Sequence, residues 1–326
     1  MQFNEISNDA KIKIQNFIKK NPNGIIIIWG ATATGKTRLS VELSKDFPIE
    51  VISSDSRQIF KKMDIGTDKI PQKYLDLIPH HQINIVNPDE HYTAGQRQKA
   101  TKQQIKNIQS RGNIPCIVGG TGLYIDTIYK NFTLPESKPN ISQRKLREAE
   151  EEKTPGILHQ KLQKIDPIEA EKLHPNSTRY IIRALEIYEN TGKPKTEVCK
   201  EQPVDQPILM IGIRRDKETT NKLINARIKE MLNGTIQDGK KWGLIEEVQG
   251  LLDQGYDPNL QSMQGIGYKE VVGYLQGEYD KEKMEELLKR NTHHLAKKQR
   301  TRFRRYIAEG KANPKKNVEY LVYEIE

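Results

Sequence analysis

A glycine-rich segment near the amino terminus has the spacing of a phosphate-binding loop. Residues 30–37 follow the pattern G-x-x-x-x-G-K-[ST] and lie between an apolar run and a helical stretch, the context that supports such a match. Backbone N–H groups would converge on phosphate oxygens, Lys36 would neutralise them, and the Thr37 hydroxyl could bind Mg²⁺. The predicted phosphate-binding residues are Gly30, Thr32, Ala33, Thr34, Gly35, Lys36 and Thr37.

This loop predicts that a di- or triphosphate is bound, but it does not identify the bond that breaks. Nucleoside triphosphatases commonly place an aspartate at the end of a second apolar strand to hold Mg²⁺. Here the apolar residues 114–118 are followed by Gly119-Gly120-Thr121-Gly122 instead. Because either glycine-rich segment could also be a simple turn, other residues must decide the chemistry.

Asp55 is the first candidate for acid–base chemistry. It follows the apolar residues Val51 and Ile52, so it stands at the carboxyl end of a predicted strand, where open α/β sheets bind ligands. A carboxylate there could hold Mg²⁺ through water, cap a helix or act as a general base. Thr121 follows another strand at the same edge, and Arg227 could neutralise a diphosphate leaving group or simply be solvated. The residues alone leave these alternatives open.

The carboxyl-terminal region contains a predicted helix with one apolar and one basic side. At 100° per residue, Leu295, Phe303, Tyr306 and Ile307 fall on one side, and most of the remainder is cationic. A solvated basic face would explain the pattern, but the absence of an acidic residue among the cations favours nucleic-acid contact. The cations are Lys297, Lys298, Arg300, Arg302, Arg304 and Arg305.

Composition agrees with a phosphate-rich partner. The 326 residues include 53 Lys and Arg against 43 Asp and Glu, a formal charge of +10. The two cysteines are far apart, which argues against a disulfide framework or a cysteine zinc site, and the adjacent histidine pairs lack the spacing of helical metal ligands. The sequence has no signal-peptide core, and its longest apolar run covers only residues 25–29. We expect a soluble, cytoplasmic protein without membrane association, and a monomer.

These candidate residues require an α/β framework to bring them together. Apolar, β-branched runs at residues 24–29, 51–52, 114–118 and 208–213 predict buried parallel strands, with a final strand at 320–323. Helices are predicted at 36–46, 142–152, 158–165, 179–189, 221–232, 244–252 and 282–307. We therefore predict a P-loop NTPase-like core with a parallel sheet at 1–134 and 207–326, interrupted by a helical insertion domain at 135–206.

The chain resembles the bacterial tRNA dimethylallyltransferases, also called isopentenyl-tRNA transferases, over nearly its whole length. The resemblance rests on a series of blocks in order and not on the phosphate loop alone. They are residues 30–37, Asp55-Ser56-Arg57-Gln58 with Met63-Asp64-Ile65-Gly66-Thr67, Pro79-His80-His81 with Asn87-Pro88-Asp89-Glu90, Val118-Gly119-Gly120-Thr121-Gly122-Leu123-Tyr124, Arg183-Ala184-Leu185-Glu186, Gly267-Tyr268-Lys269-Glu270 and Lys297-Lys298-Gln299-Arg300.

The resemblance implies that the phosphate loop holds dimethylallyl diphosphate in place of ATP. The acceptor would be N6 of the adenosine 3′-adjacent to the anticodon, extruded from the tRNA anticodon stem-loop into a channel. Asp55 matches the family's base, Thr121 would orient the substrate, and Lys36, Arg227 and Mg²⁺ near Thr37 would stabilise the departing diphosphate. Contacts with tRNA, including some from the helical insertion, are implied for Asp55, Ser56, Arg57, Gln58, Thr121, Arg144, Arg179, Arg183, Gln264, Gly267, Tyr268, Lys269, Lys297, Lys298, Gln299, Arg300 and Arg304.

Three positions depart from the family pattern. Ala31 stands where proline is usual, Phe303 lies near a position where tryptophan is common, and residues 234–242 look like an insertion. Two other functions remain as competing hypotheses. One is a small-molecule P-loop kinase that uses ATP, and the other is an RNA-binding protein whose nucleotide site only regulates binding.

Overall fold

Six parallel strands form the sheet that positions the phosphate loop. The computed structural model describes residues 1–135, 140–237, 240–312 and 314–325. The sheet has the order β3-β2-β4-β1-β5-β8, and each of its pairings is parallel. An α/β core with a parallel sheet is therefore confirmed. The strands are β1 (Ile25–Gly30), β2 (Ile49–Ser54), β3 (His80–His81), β4 (Ile114–Gly119), β5 (Ile208–Arg215), β6 (Thr235–Gln237), β7 (Lys240–Trp242) and β8 (Val318–Ile325).

The predicted strands lie where the apolar runs placed them, but several are longer. Every residue of β1, β2 and β4 is buried, as expected for strands covered by helices on both faces. β2 extends beyond the apolar residues Val51 and Ile52 because the polar residues Glu50, Ser53 and Ser54 are also buried. The strand predicted at 320–323 is the centre of β8, which pairs with β5 along eight residues.

The predicted helices are also present, and several elements were not anticipated. The helix that follows the phosphate loop ends at residue 44 and not at 46. The helices are α1 (Phe3–Lys20), α2 (Lys36–Ser44), α3 (Gln72–Leu75), α4 (Ala94–Ser110), α5 (Gly122–Tyr129), α6 (Ile141–Lys153), α7 (Ile157–Ile165), α8 (Pro167–Lys172), α9 (Thr178–Thr191), α10 (Lys195–Val198), α11 (Lys217–Asn233), α12 (Leu244–Asp253), α13 (Tyr268–Leu275) and α14 (Lys281–Ala312).

Helix α1 was not predicted, because the amino-terminal residues are largely polar. Its apolar residues nevertheless recur at helical spacing, and Ile6, Ala10, Ile14 and Phe17 are almost fully buried. They join residues of α2 and of one face of the sheet in a common apolar cluster. The helix therefore owes its stability to an apolar stripe on an otherwise polar surface.

The chain divides into two compact units. The first contains residues 1–92, 100–125 and 204–326, and the second contains residues 93–99 and 126–203. The second unit includes α6 to α10, with an apolar core that contains Leu158, Leu162, Ile181 and Leu185. Its limits differ from those of the predicted insertion, and a helical insertion domain at 135–206 stays a prediction.

The segment 234–242 forms an antiparallel hairpin of β6 and β7. Residues 238 and 239 of the predicted insertion lie outside the described residues. Within the described ranges, no helix is both long and apolar enough to cross a membrane.

Candidate active site

The phosphate loop connects β1 to α2 and is built by its own residues. Gly35 has φ of 93°, a left-handed conformation that favours glycine. Gly30 lies so close to β5 that an added Cβ would stand 2.6 Å from the Ile213 carbonyl oxygen. The buried Thr34 hydroxyl donates a hydrogen bond to the Ala31 carbonyl at 2.9 Å. The conformation of the loop is therefore held by contacts of its own residues and by its close approach to β5.

Lys36 lies in this loop with its charge poorly solvated. Its Nζ donates to the Ala31 carbonyl at 2.7 Å. Burial is the main cause that lowers the pKa of Lys36 to about 8. The positive charge of Arg227 acts in the same direction, and the negative charges of Asp55 and Asp68 oppose it. An incoming anion would restore the lysine's charge, so this position favours binding of phosphate groups.

Arg227 reaches the phosphate loop from α11. Its Nη1 donates to the Thr32 hydroxyl at 3.3 Å and lies 2.6 Å from Oδ2 of Asp68. A solvated arginine was the alternative considered from sequence, but Arg227 lies at the loop and its charge acts on Lys36. Asp68 had not been recognised as a site residue. Its only sequence signal was its position directly after the block 63–67.

Asp55 begins the loop after β2, and its side chain accepts hydrogen bonds from the main chain of that loop. Its Oδ1 accepts hydrogen bonds from the backbone N–H groups of Arg57 at 2.7 Å and Gln58 at 3.3 Å. The carboxylate also acts electrostatically on Lys36. These bonds form a side-chain-to-main-chain turn and not the helix cap considered from sequence, since the next helix, α3, begins only at Gln72. They orient a carboxylate close to the phosphate loop, and its role as base stays a prediction.

Thr121 stands at the neighbouring strand end. β4 lies between β1 and β2 in the sheet, so the segments that follow these three strands meet at one edge. The Thr121 N–H donates to the carbonyl of Ser54 at 3.1 Å, which ties the second glycine-rich segment directly to the residue before Asp55. The three predicted elements of the site are therefore brought together.

The side chain of Gln299, on α14, links the two glycine-rich segments. Its Oε1 accepts from the Thr32 N–H at 2.9 Å, and its Nε2 donates to the Gly120 carbonyl at 3.1 Å. Gly120 is required by this approach, because a Cβ there would stand 2.4 Å from Nε2. Gln299 was predicted only as a tRNA contact, and this bridging role had no sequence signal.

An aromatic cluster fixes α14 in this position. Phe303 is buried with its ring centroid 5.1 Å from that of Trp29 and 5.6 Å from that of Tyr306. The Tyr306 hydroxyl donates to the Gly122 carbonyl at 3.2 Å. Phe303 therefore packs in the interior, where it supports the helix that carries Gln299.

The cationic side of α14 lines a basic cavity of about 980 Å³. Lys297, Arg300 and Arg304 form one wall, and Lys217 belongs to the wall formed by the residues after β5. Burial and the neighbouring Arg304 lower the pKa of Arg300. Lys298 lines an adjoining groove on the same helix. This concentration of positive charge suits phosphate groups.

The other predicted tRNA contacts of the first unit have structural partners. Arg57 Nη1 donates to the Gln261 carbonyl at 2.8 Å, and Gln264 Nε2 donates to the Pro258 carbonyl at 3.1 Å. Tyr268 is 1% exposed, and its hydroxyl donates to Glu247 at 2.6 Å. This burial gives no support to direct contact of its side chain with RNA. Ser56 and Gln58 flank Arg57 in the loop after β2, while Gly267 precedes α13 and Lys269 lies in its first turn.

The predicted contacts of the second unit lie on α6 and α9. Arg144 binds Glu186 through Nε at 2.6 Å and Nη2 at 2.7 Å, and Arg183 binds the same carboxylate at 3.2 Å. These ion pairs hold the pKa of Glu186 below its usual value, against the effect of burial. Arg179 is exposed. Both Arg144 and Arg183 keep about a third of their side chains exposed.

In the described part of the chain, no cluster of three or more His, Cys, Asp or Glu side chains could hold a metal ion. Thr37 is exposed at the start of α2, and the nearby acidic groups are Asp55 and Asp68. These are oxygen donors of the kind that Mg²⁺ prefers, and they would need phosphate oxygens to complete a site. Binding of Mg²⁺ therefore stays a prediction.

Two protein-family models match the chain. One, described as IPP transferase, matches residues 58–306, and the other, described as isopentenyl transferase, matches residues 23–77. The second contains the phosphate loop, Asp55 and Asp68, and the first contains Thr121, Arg227 and Gln299. The matched segments thus contain every residue of the site described above.

Individual proteins agree over most of the chain. The tRNA dimethylallyltransferase of Pelotomaculum thermopropionicum is 42% identical over 290 residues, which cover 88% of this chain and 89% of the relative. That of Halothermothrix orenii is 43% identical over 285 residues, covering 86% and 84%.

Solved structures give the same result. The tRNA isopentenylpyrophosphate transferase of Bacillus halodurans has a TM-score of 0.62 at 37% identity, covering 93% of this chain and 90% of that one. A eukaryotic dimethylallyltransferase seen acting on tRNA has a TM-score of 0.72 at 29% identity, covering 92% of this chain and 73% of that one.

Proposed function

The chain belongs to the tRNA dimethylallyltransferase family, and from this premise we propose that it transfers the dimethylallyl group of dimethylallyl diphosphate to N6 of the adenosine 3′-adjacent to the tRNA anticodon. The N6 lone pair forms a bond to C1 of the dimethylallyl group while the bond from C1 to the diphosphate oxygen breaks. The N6 proton passes to a base. The products are N6-(dimethylallyl)adenosine and diphosphate.

The observation that carries this proposal is the meeting of three elements at one sheet edge. The phosphate loop follows β1, Thr121 follows β4 and Asp55 follows β2, and these strands are adjacent in the order β2-β4-β1. A diphosphate on the loop would place its allylic carbon close to a carboxylate and a hydroxyl from the neighbouring strands. This arrangement suits transfer to a nucleophile that must lose a proton.

Asp55 is the base in this mechanism. An exocyclic amine of adenine is a weak nucleophile, so its proton must be removed as the carbon–nitrogen bond forms. The hydrogen bonds from the N–H groups of Arg57 and Gln58 to Oδ1 hold the carboxylate in a defined orientation. Thr121, anchored to Ser54 through its backbone, would orient the adenine.

The leaving diphosphate is stabilised by the loop. Lys36 and Arg227 supply positive charge close to the loop amides, where negative charge grows as the bond breaks. Because the pKa of Lys36 is lowered, binding of the anion should increase the fraction of this lysine that is protonated. Mg²⁺, bound by the Thr37 hydroxyl and phosphate oxygens, would supply further charge neutralisation.

Recognition of tRNA is assigned to the cationic surfaces. Arg300 and Arg304 line a cavity together with loop residues Gly30 and Thr34. Lys297 and Lys298 line the neighbouring cavities along α14, and Arg179 is exposed on α9. Such contacts should make affinity for tRNA fall with rising salt. All groups proposed for the chemistry come from one chain, so we propose that the monomer is active, in the cytoplasm where tRNA is found.

The experiment that tests this function combines the purified protein, Mg²⁺, dimethylallyl diphosphate and an unmodified tRNA with adenosine beside the anticodon. Nucleosides are then analysed by mass spectrometry, with a tRNA carrying guanosine at that position as the control. We expect the mass of a dimethylallyl group on adenosine alone. Transfer of phosphate from ATP to a small acceptor, without any gain of mass on the tRNA, would instead support the kinase.

A further inference from the structure

A carboxylate that no part of the mechanism uses lies within the phosphate site. Asp68 Oδ2 stands 2.6 Å from Nη1 of Arg227, and the same Nη1 donates to the Thr32 hydroxyl of the loop. About half of the Asp68 side chain is exposed, at 53%. It is therefore open to a ligand that enters the loop.

The position of Asp68 is fixed by the loop that carries the proposed base. Its φ of 50° is left-handed, and its backbone carbonyl accepts a hydrogen bond from Nε2 of Gln58 at 3.0 Å. Its N–H donates to the carbonyl of Ile65 at 3.0 Å. These bonds hold the main chain of Asp68 in place. The fold therefore helps to keep the carboxylate facing Arg227, in addition to the ion pair itself.

Positive and negative side chains both surround the phosphate loop. Lys36 and Arg227 are opposed by Asp55 and Asp68, and Glu230 adds a further negative charge on α11. A diphosphate entering the loop must compete with Asp68 for Arg227 and must also lie close to a like charge.

We propose that Asp68 is a positioning residue that holds Arg227 at Thr32 and competes with diphosphate for this arginine, so that it weakens binding and speeds release of the diphosphate product. This inference rests on the proposed function, because it takes diphosphate as the anion that the loop binds. In this chain the strength of the diphosphate site is set by a carboxylate as well as by the cations.

The test is the affinity of the full chain for inorganic diphosphate with Mg²⁺, measured by calorimetry without tRNA. Asp68→Asn keeps the shape of the side chain, and asparagine tolerates the left-handed conformation. We expect this variant to bind diphosphate about one-and-a-half- to fivefold more tightly, the range for an exposed ion pair. Product inhibition by diphosphate should strengthen by the same factor. Asp68→Glu, which keeps the charge, should remain close to the wild type.

The matched control is Asp64→Asn, which removes the same charge from the same loop. Asp64 is ion-paired with Lys69 at 2.5 Å and not with Arg227, so its substitution should leave diphosphate affinity unchanged. In an Arg227→Gln background, Asp68→Asn should lose most of its effect. A purely structural role could not produce tighter binding, since damage to the loop would weaken it.

Equal or weaker diphosphate binding by Asp68→Asn would overturn the inference. The result is separable from the proposed function, because diphosphate binding is measured without tRNA or transfer. If the wild type binds diphosphate but transfers no dimethylallyl group, the proposed function fails. The effect of Asp68→Asn on diphosphate affinity can still be measured. If the wild type binds no diphosphate, both fail.

Discussion

The contact between Gln299 and Gly120 allows two effects to be separated. One is the steric effect of a Cβ at Gly120, and the other is the loss of the two hydrogen bonds that Gln299 makes. A Cβ added at Gly120 would stand 2.4 Å from Nε2 and 3.3 Å from Cδ of Gln299, while the next neighbour, the Gly30 carbonyl oxygen, is 3.4 Å away. Gly120→Ala must therefore displace the Gln299 amide. The substitution should break its bonds with the Thr32 N–H and the Gly120 carbonyl without disturbing much else.

The magnitude follows from those two hydrogen bonds. Each contributes roughly 0.5–1.5 kcal/mol, so Gly120→Ala should lower the stabilisation of the loaded site by about 1–3 kcal/mol, or roughly five- to 150-fold in kcat/KM for the diphosphate donor. Gln299→Ala loses the same two bonds and should show the same effect. The double substitution removes the obstacle as well, so it should be no worse than Gln299→Ala alone.

The assay is the initial rate of dimethylallyl transfer with the donor varied at saturating tRNA, together with the melting temperature of each variant. Gly250→Ala is the control, because a Cβ there would make only an ordinary contact at 3.6 Å with Trp242, and it should be nearly silent. If the effects of Gly120→Ala and Gln299→Ala simply add in the double variant, the bridge does not couple the two loops and the reasoning is refuted.

Three further predictions follow from the same geometry. Asp55→Asn keeps an oxygen that can accept the two N–H bonds but cannot take a proton, so turnover should fall on the order of a hundredfold or more while tRNA binding is retained. Lys36 is protonated in the unloaded site only below its pKa of about 8, so kcat/KM for the donor should fall as pH rises through that value, and Lys36→Arg should abolish this dependence. Gly212→Ala would place a Cβ 2.3 Å from the buried Trp29 ring, which should lower the free energy of unfolding by about 1–3 kcal/mol.

Each has a result that would contradict it. For Asp55, filter binding of tRNA is compared with turnover, and an equal loss of both would remove its assignment as base. For Lys36, a pH profile of Lys36→Arg that still falls near pH 8 would place the titration elsewhere. For Gly212, denaturant unfolding is the measurement, and unchanged stability would mean that Trp29 can move freely in the core.

Local features of the site could be predicted because their causes are local. The loop between Gly30 and Lys36 depends on glycine conformations and on an adjoining strand and helix, all of which are visible in consecutive residues. Asp55 and Thr121 could be placed at the same edge because parallel strands end on the same side of a sheet. Helix α1 could also have been found from the spacing of its buried apolar residues, which its polar composition obscured.

The contacts that complete the site could not be predicted in this way. Gln299 is 267 residues from Thr32, and Arg227 is 195 residues from it. Contacts between residues so far apart in sequence could not be predicted, since no periodicity or motif relates Thr32 to Gln299 or to Arg227. Their meeting depends on how α11 and α14 pack near the carboxyl edge of the sheet.

By itself the sequence determined the phosphate loop, the buried parallel strands, the basic face of α14 and the family. These follow from residue types at short spacing, where backbone conformation and burial act within a single element. Only the tertiary structure decided that Asp68 opposes Arg227, that Gln299 joins the two glycine-rich segments and that Tyr268 lies inside. The physical reason is that such contacts join residues far apart in the chain, and they exist only once the packing of the helices on the sheet has brought the partners within a few ångströms.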